Sequence, residues 1–494
     1  MEAEIAEEAI PMQDLGDIVR PQSVSPDAEP TDTHRLKRRH FVLLCVMLLN
    51  FSNTAQWISY APISNYVSSY YAGGAAAGFS LIYMAMTIPF GFIGMWLGNS
   101  RGLKRSFFLA AAVNSLGATI RLFSDTFEGY TYHYHMAMLG QAVSSLAYPF
   151  IMFLPTKVSA DWFPTDQQTL ATTLGVMSNP LAVLTVNLVV PFIVTKASDV
   201  MWLNVILCGL SVTAGFLILM LVTDDRPIDS NPNAAAPASK MSYRQNLRMC
   251  LTNGSYWLIL LVIGGGIGMF NCLYTMMQEL MCPSGYGNHE AGYCAMLMIA
   301  AGVAGAIIGG RLVDMYPRLF KWILLGAIAF AVLFGLIFLQ LTRLKRIQLA
   351  LALMSCLFGF TGVAVYPIGL QMAYRITQPA AAEVSSGLIV LMGQLLSLLF
   401  VSIFKAFARP LTPTEIDLSD EKCRLSAEDT VNIPKDYLTS ILTVSVIAST
   451  LPILMIFVKP DGTRNEDPSQ ATQRRPRDVE NRPEADALVH HENI

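Results

Sequence analysis

Twelve stretches of about 20 residues run almost without Asp, Glu, Lys or Arg, and this pattern limits the fold more than any other feature of the chain. A helix needs about 20 mainly apolar residues to cross the hydrocarbon core of a bilayer. The sequence therefore predicts an all-α membrane protein with twelve transmembrane helices. The stretches cover roughly residues 41–66, 79–98, 106–124, 136–156, 169–194, 201–222, 256–280, 293–314, 322–341, 347–372, 384–404 and 438–458.

The overall composition supports the same conclusion. Hydrophobic residues make up 53% of the chain and charged residues 14%, against about 25% charged in typical globular proteins. The formal net charge of -3 provides no basic surface for a polyanion. We therefore expect the lipid bilayer as a partner and no nucleic acid.

Polar segments divide the chain into parts. A polar stretch between the sixth and seventh predicted spans has the composition of a flexible linker. Lys and Arg are about twice as frequent on the side that holds both chain ends, which predicts cytosolic termini. The predicted parts are a disordered tail 1–35, a six-helix half 36–223, a linker 224–255, a second half 256–459 and a disordered tail 460–494.

An internal repeat relates the two halves. Asn99, after the second span, and Asp314, after the eighth, lie in similar Gly- and Arg-rich segments 215 residues apart. The same offset relates Asn179 to Gln394. Two pseudo-symmetric six-helix halves with such a loop in each resemble the major facilitator superfamily. That resemblance implies alternating access, in which the halves rock about a site near the bilayer midplane.

The loop motif of that superfamily implies a gate on the cytosolic side. Its acidic and basic residues join the ends of the two halves during the transport cycle. Asn99 stands where the first copy would carry an acid, so we expect an asymmetric and weaker contact. The alternative is that these cations only set the topology. The gating candidates are Arg101, Lys104, Arg105, Arg311 and Asp314.

Several longer strings carry a closer resemblance, which extends over residues 36 to 458. In this combination they resemble solute carrier family 49, the transporters related to the feline leukaemia virus subgroup C receptor. The resemblance implies a carrier of small organic solutes, with choline and ethanolamine favoured and haem as an alternative. The strings are Leu48 to Pro62, Leu154 to Lys157, Ala160 to Pro164, Met177 to Leu181 and Ser385 to Leu388.

The same resemblance implies a substrate site. A quaternary ammonium donates no hydrogen bond, so a site for it uses aromatic faces. Tyr148 and Asn271 depart from the residues that the family has there, which makes an identical substrate uncertain, and interhelical packing is the alternative role for all these side chains. The candidates are Asn53, Trp57, Tyr83, Met84, Tyr148, Asn271 and Gln394.

Charged residues inside the spans are few. The first six predicted spans hold no acid, and Glu279 lies at the outer end of the seventh, where an interfacial position is expected. Proton-driven carriers place a titratable acid in the pathway, so the sequence favours facilitated diffusion. Arg121, near the outer end of the third span, is expected to extend its head group towards water.

Cysteine and histidine provide little chemistry. Cys282 and Cys294 flank a short outer loop and could form a disulfide, which would leave Cys423 unpaired. His133 and His135 are expected in an exposed loop, without a metal. We expect no cofactor.

An enzyme is not expected, because the chain contains no catalytic motif such as Gly-x-Ser-x-Gly or His-Glu-x-x-His. A receptor that binds a solute without moving it is the other alternative. We expect a monomeric carrier in the plasma membrane.

Overall fold

A computed structural model describes residues 31–71, 76–100, 103–126, 130–152, 154–163, 168–222, 241–417, 419–425 and 432–459. Its helices are α1 (Thr31–Ile58), α2 (Ser64–Tyr70), α3 (Ala76–Ser100), α4 (Leu103–Phe123), α5 (Tyr130–Ser145), α6 (Tyr148–Ile151), α7 (Leu154–Trp162), α8 (Gln168–Ile193), α9 (Val200–Leu221), α10 (Tyr243–Thr252), α11 (Gly254–Met281), α12 (Asn288–Met315), α13 (Phe320–Leu341), α14 (Gln348–Thr377), α15 (Ala382–Ala406), α16 (Pro413–Asp417) and α17 (Leu438–Ile456). Two short strands, β1 (Arg409–Pro410) and β2 (Lys435–Asp436), pair antiparallel.

The helices follow the predicted spans closely. Eleven segments of the described chain are long and apolar enough to cross a membrane. The twelfth crossing lies between α4 and α8 and consists of the consecutive helices α5, α6 and α7. The all-α architecture with twelve crossings in two six-helix halves is thus confirmed.

Two prolines explain why the fourth crossing is broken. Proline lacks an N–H, and its ring collides with the carbonyl four residues earlier, which ends a regular helix. Four residues before Pro149 is Ser145, where α5 ends, and four residues before Pro155 is Ile151, where α6 ends. One nearby carbonyl, that of Ser144, accepts a bond from an asparagine side chain of α1 at 3.0 Å.

The halves meet firmly on one face of the bundle. We call the face where α1 begins and α17 ends the terminal side, and the other the opposite side. On the opposite side, Ser64 Oγ donates to Gln278 Oε1 at 2.5 Å, and Asn288 Nδ2 donates to Asn65 Oδ1 at 3.0 Å. Gly292 of α12 packs so closely on α8 that a Cβ there would lie 2.3 Å from a carbonyl oxygen. The opposite side is closed by these contacts.

The segment predicted as a flexible linker contains a helix. Of residues 224–255, the structure describes 241–255, and α10 occupies most of that part. The Asn246 side chain accepts a bond from the backbone N–H of Ala381 at 3.2 Å, and Cys250 is fully buried. This part of the connection therefore packs against the second half. The predicted tails lie outside the described residues, except that α1 begins at Thr31.

The disulfide differs from the one expected. Cys282 is bonded to Cys423, while Cys294 lies one and a half turns into α12 as a buried free thiol. The loop after α15 folds back over the end of α11, where the Lys422 N–H donates to the Cys282 carbonyl at 2.9 Å. Gly285, with φ +90°, allows this loop to approach closely. Sequence proximity favoured Cys294, but the folded loop brings Cys423 nearer.

We expect the change Cys423→Ser to abolish the reduction-dependent labelling of Cys282. In unfolded wild-type protein, reduction should expose two additional thiols to a maleimide-polyethylene glycol reagent, and in the variant none. The bond joins residues separated by 141 positions, and disulfides typically contribute about 2–4 kcal/mol to stability, so the melting temperature should fall. Cys294→Ala is the control and should retain two reduction-dependent labels. Loss of those labels in the control would contradict this pairing.

Candidate functional site

A cavity of about 200 Å³ lies between the two halves near the middle of the helices. The first half lines it with α1, α3, the broken fourth crossing and α8, and the second half with α11, α12, α14 and α15. The cavity reaches towards the terminal side as far as Pro155 and Ala306. Because the opposite side is closed, the cavity is directed towards the terminal side.

Three aromatic rings of the first half form one wall of the cavity. The Trp57 and Tyr83 rings stack with centroids 6.1 Å apart at 29°, and the Tyr83 and Tyr148 rings are 6.0 Å apart. Tyr366 and Tyr274 of the second half also line the cavity. The lining residues carry no charged side chain in the described part of the chain. Such a wall attracts a cation through ring quadrupoles rather than through a carboxylate.

Asn53 and Met84 lie outside this lining. Asn53 is buried behind Tyr83 and accepts a hydrogen bond from its hydroxyl at 2.5 Å. It also donates to Asn114 at 2.9 Å, so it holds the ring in place from behind. Met84 is fully buried, because neighbouring residues on a helix point about 100° apart and Tyr83 already faces the cavity.

Polar groups of both halves face the cavity without partners. Trp57 Nε1, Tyr274 Oη and Gln394 Oε1 are buried and form no hydrogen bond with the described residues. Asn271 lines the cavity but donates to Ser397 at 3.1 Å, which uses one of its hydrogens in packing. Because an unsatisfied buried polar group is costly, the free groups are sites for a solute or water.

Tyr274 was missed by the sequence analysis. It lies three residues after Asn271 on α11, on the same helical face. A tyrosine therefore lies one turn from Asn271. Its spacing of three residues from a candidate site residue could have indicated that it faces the cavity.

The gating candidates are only partly described. Arg101 and the side chain of Asp314 lie outside the described residues. Lys104 lies over the Phe108 ring at 5.6 Å, while Arg105 and Arg311 are exposed on the terminal side. The described contacts neither form nor exclude the expected gate.

Arg121 does not extend to water as expected. It is 2% exposed, and its guanidinium lies 3.7 Å from the Tyr60 ring centroid. Its five hydrogen bonds reach Tyr60, Asn204, the Gln56 carbonyl, Gln141 and Ser59 at 2.8–3.1 Å. A single cation thus joins α1 and the turn after it to α4, α5 and α9.

Two acids lie close to the ends of spans, and neither lines the cavity. Asp125, directly after α4, is 4% exposed and pairs with His133 at 3.0 Å. The expected exposed loop is wrong for His133, which belongs to α5 and is partly buried between helices. His135 is exposed, but it also belongs to α5. Glu279 is bonded to Lys405 at 2.6 Å and to Tyr437 at 3.0 Å. It is therefore a paired acid near the end of α11.

Comparison with known proteins agrees with the fold and the family. Residues 42–401 match the sequence profile of the Major Facilitator Superfamily. An uncharacterised protein of Caenorhabditis elegans is 44% identical over 439 residues, which are 88% of this chain and 86% of that protein. Solute carrier family 49 member A3 of Danio rerio is 30% identical, over 85% of this chain and 89% of that protein. The choline/ethanolamine transporter flvcr2a of Danio rerio is 26% identical, over 78% and 84%.

Solved structures share the architecture. The D-xylose-proton symporter has a TM-score of 0.57 at 15% identity, covering 86% of this chain and 99% of the symporter. A bacterial homologue of the human lysosomal transporter Spinster, in an inward-facing and unoccupied conformation, has a TM-score of 0.55 at 13% identity, covering 85% and 95%. These identities establish the fold alone.

The matched profile covers most of the chain, so this is a multi-pass membrane transporter of the major facilitator type, with a small solute as its substrate and not an enzyme. Within that superfamily the chain belongs to solute carrier family 49. The expected family is confirmed.

Proposed function

We propose that this transporter moves choline or a similar small organic cation by facilitated diffusion. The observation that carries the proposal is the wall of Trp57, Tyr83 and Tyr148 beside a cavity without charged lining residues in the described chain. A desolvated cation over such rings gains about 2 kcal/mol or more. Relatives with 26% identity bear the name choline/ethanolamine transporter.

The unpartnered polar groups suit the other end of such a solute. Choline and ethanolamine carry a hydroxyl, which can donate to Gln394 Oε1 and accept from Trp57 Nε1. The Gln394 side chain also approaches the Tyr148 hydroxyl. One end of the solute would thus contact rings and the other would contact an amide.

The size of the cavity favours a small solute over haem. Sites for drug-sized ligands measure about 300–1,000 Å³, and this cavity of about 200 Å³ is smaller. A porphyrin would require the halves to separate much further. The lining includes no His or Cys in the described residues, two side chains that commonly hold haem iron.

The absence of a charged residue from the described cavity lining supports diffusion without proton coupling. Asp125 and Glu279 are engaged in pairs away from the cavity. On this proposal the carrier is a monomer in the plasma membrane with cytosolic termini. The cytosolic gate would then be formed by the five gating candidates, which are Arg101, Lys104, Arg105, Arg311 and Asp314.

Uptake into proteoliposomes tests the proposal. We expect saturable uptake of radiolabelled choline that ethanolamine inhibits. The neutral isostere 3,3-dimethylbutan-1-ol, in which carbon replaces the ammonium nitrogen, should inhibit at least about tenfold more weakly, since it loses the cation–π attraction. Collapse of a pH gradient should leave the rate unchanged.

Three other outcomes would point elsewhere. Equal inhibition by choline and the isostere would contradict a cation site. Binding of choline without uptake would indicate a receptor. Inhibition by haem but not by choline would favour the porphyrin alternative. Protein-free liposomes are the blank for all these measurements.

A further inference from the structure

A second cavity lies within the second half, beside the central one. It measures about 90 Å³ and lies between α11, α13, α14, α15 and α17. We call it the side cavity, and its wall is almost entirely hydrocarbon, with Leu273, Val332, Leu336, Phe358, Val444 and Ala448 among its lining residues. An apolar cavity of this kind stays dry, since water finds no partners there.

The side cavity adjoins the central cavity. Four residues line both: Gly266, Phe270, Gly362 and Val365. A Cβ on Gly266 would meet no atom within 4 Å, so there is open space beside this position. The boundary between the cavities is therefore thinnest where Gly266 carries no side chain.

Phe270 forms the rest of the boundary. Its ring stacks on Phe358 with centroids 4.5 Å apart and planes 6° apart. It packs so closely on Gly362 that a Cβ there would lie 2.4 Å from the ring. The ring is therefore held against α14.

The two cavities differ in chemistry. The central cavity presents aromatic faces and unpartnered polar atoms, whereas the side cavity presents almost only hydrocarbon. An empty apolar void loses dispersion contacts along its lining. A hydrocarbon chain entering it gains the free energy of burial, about 0.8 kcal/mol for each methylene group.

We infer that the transporter binds amphipathic cations, whose ammonium group lies against Trp57 and Tyr83 and whose alkyl chain passes Gly266 into the side cavity. This inference rests on the proposed cation site and extends its substrate class. The hydrocarbon could also come from an acyl chain of a membrane lipid. The shared boundary with the central cavity favours the solute, because the head and the tail then occupy adjoining spaces.

A series of alkyltrimethylammonium ions with chains of one to eight carbons tests the inference. Their affinities are measured by thermal-shift titration of the purified protein in lipid nanodiscs, which avoids a competing detergent tail. We expect affinity to rise about fourfold for each of the first added carbons, and then to level off when the cavity is full.

Variants separate the side cavity from general partition into the membrane. Ala448 lines only the side cavity, so Ala448→Phe should remove the gain with chain length and keep the affinity for choline. Ala448→Leu fills less of the side cavity, so affinity should level off at a shorter alkyl chain than in the wild type. This variant replaces Ala448→Phe in the test if the Phe variant does not fold. Leu442→Phe, on the exposed face of the same helix, is the matched control.

Each outcome decides one question. Choline binding with no dependence on chain length would overturn this inference and leave the cation site intact. A chain-length gain that persists in both Ala448 variants would place the tail elsewhere, in the lipid, and would also overturn it. No binding of choline or of any alkyl cation would refute the proposed function itself.

Discussion

Replacing Arg121 with Ala is expected to prevent stable folding of the first half. The side chain donates five hydrogen bonds in a site that is closed to water. Its removal leaves Gln141 Oε1 without its donor and the Gln56 carbonyl with only the donor from Gln141 Nε2. A buried acceptor left unsatisfied costs about 1–3 kcal/mol, so losing five bonds at once should exceed the usual effect of a point mutation.

Arg121→Lys should be intermediate. An ammonium group has three donors and no planar fork, so it cannot reach partners on the turn after α1, on α5 and on α9 at once. The measurement is the melting temperature of detergent-purified protein, followed by size-exclusion chromatography of heated samples. Arg105 is an exposed arginine on the same helix α4, so Arg105→Ala should have the same melting temperature as the wild type. A variant lacking Arg121 that also melts with the wild type would show that the network is dispensable.

The second large effect is expected at Trp57. Trp57→Ala removes the largest aromatic face from the cavity and leaves Tyr83 without its stacking partner. A desolvated cation–π contact is worth about 2 kcal/mol, so the KM for choline should rise about 30-fold. Trp57→Phe keeps a ring and loses only the indole N–H, so a rise of a few-fold is expected.

Initial rates of uptake across a range of choline concentrations measure this change. Trp202→Ala is the matched control, because Trp202 is 62% exposed on the outer surface of α9. Its KM should equal that of the wild type. If Trp57→Ala and Trp202→Ala behave alike while both reach the membrane in equal amounts, the aromatic wall does not bind the solute.

The sequence predicted the positions of the membrane spans well, because the thickness of the bilayer determines their length. Span positions follow from the length of apolar runs, and most helices begin and end within about five residues of them. The exceptions are α1, which begins ten residues before the predicted span and ends eight before its end, and the broken fourth crossing. Trp57, Tyr83, Tyr148, Asn271 and Gln394, which the family resemblance identified, line the central cavity. The apolar runs and the family strings each lie within one helix, so the sequence can identify spans and candidate residues without knowledge of how the helices pack.

Features that depend on several helices at once could not be predicted. A lone arginine near the end of a span looks the same whether it extends to water or is buried, and the acceptors around Arg121 come from distant segments. The partner of Cys282 depends on where a loop 141 residues away folds back. Which of the adjacent residues Tyr83 and Met84 faces the cavity likewise depends on where the neighbouring helices pack.

The contacts that close the opposite side have a consequence for the return step of the cycle. Ser64 with Gln278 and Asn65 with Asn288 are neutral pairs, and each ion pair formed between described residues stays within one half. A neutral hydrogen bond contributes about 1 kcal/mol, so the polar cost of separating the halves there is small, and the close packing of Gly292 on α8 is the larger part of the closure. On the proposed function, an unloaded carrier would then reorient without breaking an ion pair between described residues of the two halves, as net movement down a concentration gradient requires.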